Sequence, residues 1–187
     1  MQTPSLKPSH FILADYNPTV LQLVTVPNLV LAWALHHQHT TPALQEAFTI
    51  EGELELVPGV IEAFQEFLQQ SNIDMTFLSG AWSPEFVDLL YSSNSLESPL
   101  KTVILGAETI YSPFALQAFT ETVFSIFERE KANDAVALVG AKKLYFGVGG
   151  SLDDFVEEAR RRGGTVTNLR EEADGVRRGV VRCLVDK

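Results

Sequence analysis

Asp15 closes the apolar run at positions 11–15 (FILAD) and is followed directly by Tyr16 and Asn17. A run of this kind passing into a helical pattern is how a parallel-sheet strand presents a carboxylate at its carboxyl end. Ligands of open α/β sheets bind beyond such ends, where an acid commonly takes a ribose hydroxyl pair. Asp is also a favoured helix N-cap, so binding and capping are both open here. A second tip, Ser79-Gly80-Ala81-Trp82, follows the run 73–78. Its glycine lets backbone approach a ligand, and its tryptophan either offers a flat face to a purine or plugs a helix onto the sheet. A third tip, after 102–107, carries Glu108 and Tyr111. A carboxylate and a phenol three residues apart on a helical turn would face one cleft and could orient a nitrogen nucleophile. Taken singly, Glu108 could be a first-turn helix acid and Tyr111 a core edge. Three such tips point to one nucleotide-type cleft.

Two other clusters carry less. Gly147-Val148-Gly149-Gly150-Ser151 lies between a strand and a helix, but a G-x-G alone is weak and comes late in the chain. It reads as a tight turn feeding the helix, with Tyr145 and Phe146 walling the cleft. His36, His37 and His39 lack metal-ligand spacing and read as the solvated end of a helix, and no metal signature is visible.

These tips need a sheet to hold them. Strands are expected at 11–14, 73–78, 102–107 and 134–141, with helices at 19–38 (broken by Pro27), from 58 through the apolar face at 60–68, at 83–91, along the apolar face at 116–127, and at 152–162. Residues 39–55 show little periodicity and read as a loop. Helix 152–162 has the fullest set of end signals: Ser151 as cap, Asp154 as its reciprocal partner, Asp153 in the first turn, Arg160–Arg162 in the last and Gly163 as terminator. Runs 165–170 and 176–185 form a closing antiparallel hairpin. The expected fold is α/β, with a mostly parallel sheet and one antiparallel strand near its edge. Residues 1–9 read as a loose tail and 10–187 as one domain.

Composition bounds the function classes. With 187 residues, 45% hydrophobic and 20% charged, the chain can bury a full core. A net charge of −10 argues against direct nucleic-acid binding and suits a basic partner. The single Cys183 excludes an intrachain disulfide and, lying in an apolar run, reads as an inert core thiol. No apolar stretch is expected to reach membrane-spanning length, and the amino-terminal ten residues lack a secretory core. The expectation is a cytoplasmic or nuclear protein that does not enter a membrane.

The ordered segments DYNPTVLQLVTVPN, FLSGAWSPEFVDLL, VILGAETIYSP and AKKLYFGVGG resemble the protein-histidine methyltransferases. These belong to the seven-β-strand class that uses S-adenosylmethionine. The match runs over nearly the whole chain and is nearest to fungal-type members that methylate a histidine in a large-subunit ribosomal protein. The resemblance implies that Asp15 binds the cofactor ribose, with Tyr16 and Asn17 beside it. Gly80, Ala81 and Trp82 would form the adenine-side loop and Ala107 would line the methionine side. Glu108 and Tyr111 would match an acid-x-x-Tyr motif at the methyl-transfer centre, with Phe146 and Gly147 near the substrate.

Two departures stand out. Ala81 replaces a residue that is often polar or acidic in the family. The family's first strand and Gly-rich loop, central in its sheet, would lie before Met1. Without them the strands ending at Asp15 and Ala107 each keep an unpaired edge. The expectations are direct pairing of those strands, or a partner strand supplied by dimerisation, and weak or absent cofactor binding. A catalytically silent remnant that acts as a protein-binding module, and a lysine methyltransferase, are the alternative readings.

Overall fold

The computed structural model describes residues 8–50, 52–92, 101–130, 134–143, 149–172 and 177–185. The chain divides into two compact units, Met1–Gly80 and Ala81–Lys187.

In the first unit, strand β1 (Ser9–Asp15) pairs in parallel with β2 (Ile73–Ser79). The register sets Asp15 beside Ser79, so the two carboxyl ends lie side by side. Between them run α1 (Pro18–Val20), a π-helical turn at Leu21–Thr25, α2 (Val26–His37), α3 (Pro42–Ala47) and α4 (Pro58–Gln70).

Pro27 does not break the first helix, contrary to expectation. The wide turn just before it, with the Val26 N–H reaching back to the Leu21 carbonyl, widens the spiral where the proline interrupts its hydrogen bonds. The resulting helix Pro18–His37 has 20 residues and a mean hydropathy of 1.5, long and apolar enough to span a membrane. This corrects the expectation that no stretch reaches that length: Thr, Gln and Asn interrupt the apolar run but add no charge. Length and composition alone do not assign a membrane, because core helices of folded domains pass the same test.

Helix α3 forms inside the segment expected to be a loop. It buries Leu44 and Ala47 against Val30, Trp33, Ala34 and Val60, with Phe64 and Phe67 of α4 packed on the same cluster. His37 is not a solvated end either. Its ring stacks on Trp33 at 5.8 Å and meets Phe67 at 4.8 Å.

The second unit holds α5 (Pro84–Ser92), β3 (Thr102–Ala107), α6 (Pro113–Arg129), β4 (Ala135–Lys142), α7 (Leu152–Arg161), β5 (Gly164–Glu171) and β6 (Arg178–Val185). Its sheet order is β3-β4-β6-β5, with β3 parallel to β4 and β6 antiparallel to both its neighbours. The antiparallel strand thus lies one place in from the edge. Ser151 caps α7 by accepting the Asp154 N–H at 3.0 Å, and its hydroxyl donates to the Asp154 carboxylate at 2.7 Å. Phe119, Val123, Phe127, Phe155, Ala159 and Cys183 fill the core between these helices and the sheet. Parallel strands joined by helices, with one antiparallel strand near the edge, make a Rossmann-like methyltransferase fold.

Direct pairing of β1 with β3 does not occur. Among the described residues β1 pairs only with β2 and β3 only with β4. Each pair is completed by its own helical crossover, and the second sheet grows from β4 through β6 and β5, away from β3. On β3, Val103 and Leu105 remain 51% and 74% exposed, although a parallel strand is ordinarily covered on both faces.

Candidate functional site

In the first unit the strand tips bring Asp15, Tyr16, Asn17 and Gly80 together. One oxygen of the Asp15 carboxylate accepts the Asn17 N–H at 2.8 Å, closing a tight turn. The cap of α1 is Asn17, whose side chain accepts the Thr19 N–H at 3.0 Å, so capping is not the work of Asp15. The Gly80 N–H donates to the Asp15 carbonyl at 3.2 Å. Gly80 adopts φ +147°, and a Cβ placed on it would meet nothing within 4 Å. Tyr16 is 71% exposed. An acid with a second oxygen to accept with, beside open space over a glycine, is an acceptor that fits the hydroxyls of a vicinal diol.

In the second unit, Ala81 is exposed and Trp82 half-buried. The indole meets the rings of Phe86 and Phe119 edge-on at 5.0 and 5.9 Å, so part of its surface is committed to packing. Gly106 allows this packing on β3, since a Cβ there would lie 2.5 Å from the Phe119 ring.

Ala107 is exposed at the β3 tip, followed by Glu108 in the left-handed region at φ +55°. The Glu108 N–H donates to the Gly140 carbonyl at 2.9 Å, and its carboxylate accepts from Arg178 Nε at 3.2 Å. Tyr111 is exposed. The expected helical turn from Glu108 to Tyr111 does not form. The helix begins only at Pro113, where the Ser112 side chain accepts the Ala115 N–H. A left-handed residue cannot start a right-handed helix, so helical i,i+3 geometry does not relate the acid and the phenol.

The Gly149-Gly150 turn lies against this tip. A Cβ on Gly150 would come within 2.6 Å of the Ile110 carbonyl, and one on Gly149 within 3.1 Å of the Pro113 ring. These glycines therefore serve close backbone packing ahead of α7. Tyr145, Phe146 and Gly147 lie outside the described residues.

Arg178 is the neighbour that sequence reasoning missed. It stands on β6, seventy positions from Glu108, and no local pattern links them. Elsewhere in the unit, Tyr91 donates its hydroxyl to Glu130 at 2.9 Å, and burial, then this bond, raises its pKa. Arg162 Nε donates to Glu158 at 2.7 Å and holds that carboxyl below its ordinary range.

No family model matches the chain. It is 39% identical over 152 residues to histidine protein methyltransferase 1 of Saccharomyces cerevisiae, covering 78% of this chain and 40% of that protein. The Schizosaccharomyces pombe protein of the same name is 32% identical over 148 residues, covering 79% and 40%. A Bos taurus homologue is 29% identical over 180 residues, covering 96% and 42%. The chain therefore spans about two fifths of the length of the curated relatives it matches.

Proposed function

Because this chain belongs by sequence to the histidine protein methyltransferase family, we propose that it serves methylation of a protein histidine with S-adenosylmethionine. The observation that carries this reading is the 39% identity over 152 residues. Higher identity to the two yeast proteins than to the bovine one supports a fungal-type member. A ribosomal protein is the proposed substrate, and the charge of −10 favours a basic one by steering.

When bound, the cofactor supplies an electrophilic methyl group. By the resemblance, Asp15 would hold its ribose, with Tyr16 and Asn17 beside it, and Gly80, Ala81 and Trp82 would be the adenine-side residues. Ala107 would line the methionine side. Glu108 and Tyr111 hydrogen-bond an incoming imidazole and fix its tautomer, leaving the other nitrogen free to attack. Phe146 and Gly147 contact the substrate. Support comes from the diol-matching carboxylate at Asp15 and from the non-glycine left-handed backbone at Glu108, a conformation that concentrates at functional sites.

A second reading has its own observation. In it this stretch is catalytically silent, and a strand from a second copy covers the edge of β3, which pairs only with β4 among the described residues. The deciding experiment incubates the chain with isotopically labelled cofactor and large-subunit ribosomal proteins, followed by mass spectrometry. Label on histidine supports the first reading, and label on lysine reassigns the acceptor. No label, with no binding of S-adenosylhomocysteine by calorimetry, supports the silent reading, and sedimentation then shows whether the chain dimerises.

A further inference from the structure

Along the outer stripe of α6 runs a groove of about 510 Å³, bounded by the start of α5 and by Arg162. Phe114, Glu121, Phe124 and Glu128 of α6 line it, with Trp82 beside them. Phe114 is 80% exposed, the most exposed large apolar side chain among the described residues. It is paired with no ring there, and the packing of α6 does not require it.

The electrostatics of the groove select an occupant. Glu121 and Glu128 stand seven residues apart on one stripe, about 10 Å along the helix axis. A polyproline II segment has three residues per turn and advances about 3.1 Å per residue, so side chains three positions apart share one face and come close to that interval. The groove also shows how it treats a cation. Arg162 lies over the Phe124 ring at 6.0 Å, bonded to Glu158 and reaching Glu121 at 3.4 Å. Glu128 makes no ion pair among the described residues, so the carboxylate farther along the stripe is open.

We propose that this groove docks a basic segment of another protein in the polyproline II conformation, with cations three residues apart. One cation meets Glu128, a second the Glu121 end, and a third, one interval farther along the stripe, stacks on Phe114. Phosphate-bearing partners are repelled by the same carboxylates. The inference rests on the groove alone and not on methyl transfer, so its test omits the cofactor.

The chain has two tryptophans, and Trp33→Phe leaves Trp82 in the groove as the sole reporter. The probe is a nine-residue peptide with Arg at positions 1, 4 and 7 and Ala elsewhere. Saturable change in Trp82 emission is expected, together with raised anisotropy of a labelled peptide on the unaltered chain. Glu128→Lys and Phe114→Ser, both on the helix surface, are each expected to weaken binding at least about fivefold. Raising salt to about 1 M, where screening acts over roughly 3 Å, should weaken it as well. Circular dichroism and urea midpoints check that both variants fold. Equal binding to either folded variant, equal binding of a Glu-for-Arg peptide, or no saturable binding in either measurement would overturn the proposal.

Discussion

Gly80 donates its backbone N–H to the carbonyl of Asp15 at 3.2 Å, tying together the tips of β1 and β2. The carboxylate of Asp15 is thereby fixed on a backbone that two chain segments share, while its outer oxygen stays open. Asp15→Ala is expected to weaken S-adenosylhomocysteine binding at least about tenfold, some 1.4 kcal/mol, as loss of a charged hydrogen-bond acceptor requires. Calorimetric titration of both proteins measures it. Unchanged affinity in a binding-competent chain would remove Asp15 from the cofactor site.

Gly150 gives a sharper structural test. A side chain there would strike the Ile110 carbonyl and the backbone of Ser112 in a left-handed conformation. Gly150→Ala should destabilise the fold by about 2–4 kcal/mol through strain and overpacking. Gly163 also has positive φ but meets nothing within 4 Å, so Gly163→Ala reports the backbone cost alone, about 1 kcal/mol. Urea unfolding of the pair separates the two causes. Equal losses would mean that the turn does not press on the Ile110–Ser112 backbone.

Sequence patterns located most elements because their periodicities are long enough to be read. The continuous apolar run of β3 and the apolar face of α4 are examples, and the capping signals of α7 placed it to within a residue. Helix α3 escaped because six residues carrying two buried positions show no period. Pro27 misled because its missing donor is absorbed by a π-turn, a three-dimensional accommodation that leaves no sequence mark. At the β3 tip, Ser112-Pro113 was a readable helix start, but the acid at 108 drew the boundary forward. The Arg178 partner of Glu108 was not legible, since β6 returns to β4 in a register that only the folded sheet fixes.

Acid should expose the ion pairs around α7 and β5. Glu158 is held below its ordinary range by Arg162, and Glu171 by Lys143 and then Arg177. Lowered folded-state values mean that the unfolded chain takes up protons first as pH falls. Their stabilisation is complete above the ordinary carboxyl value near 4.5 and disappears as pH drops through the folded values. Glu158→Gln should flatten the acid limb of a stability–pH profile and leave the range above pH ~6 nearly parallel to wild type. A limb of unchanged slope would place the acid sensitivity elsewhere.

The thiol of Cys183 is buried among Ala137, Val139 and Phe155, and burial pushes its pKa up to about 11. A raised value stabilises the fold below the ordinary thiol pKa and loses that contribution as pH rises toward the folded one. Stability should therefore decline above pH ~9, with Tyr91 adding to the fall by the same sign. At pH 8 the native thiol should react with a disulfide reagent only as fast as the chain opens, and at full speed in denaturant. Rapid labelling of the native protein would show that the β4–β6 core is not closed.

Glu108 combines an unusual backbone with a charge, and the two can be tested apart. A non-glycine residue at φ +55° costs on the order of 1 kcal/mol, and its exposed pair with Arg178 returns about 0–1 kcal/mol. Asparagine tolerates the left-handed region well, so Glu108→Asn should leave unfolding free energy within about 0.5 kcal/mol of wild type. Glu108→Val, β-branched in that conformation, should cost about 1–3 kcal/mol. If the carboxylate aims the acceptor imidazole, Glu108→Asn loses methyl transfer at full stability, whereas Glu108→Asp retains part of it. A Glu108→Asn protein that is destabilised by more than about 1.5 kcal/mol would make the Arg178 pair a structural clamp instead. Denaturant unfolding and transfer of labelled methyl on the same three variants distinguish these outcomes.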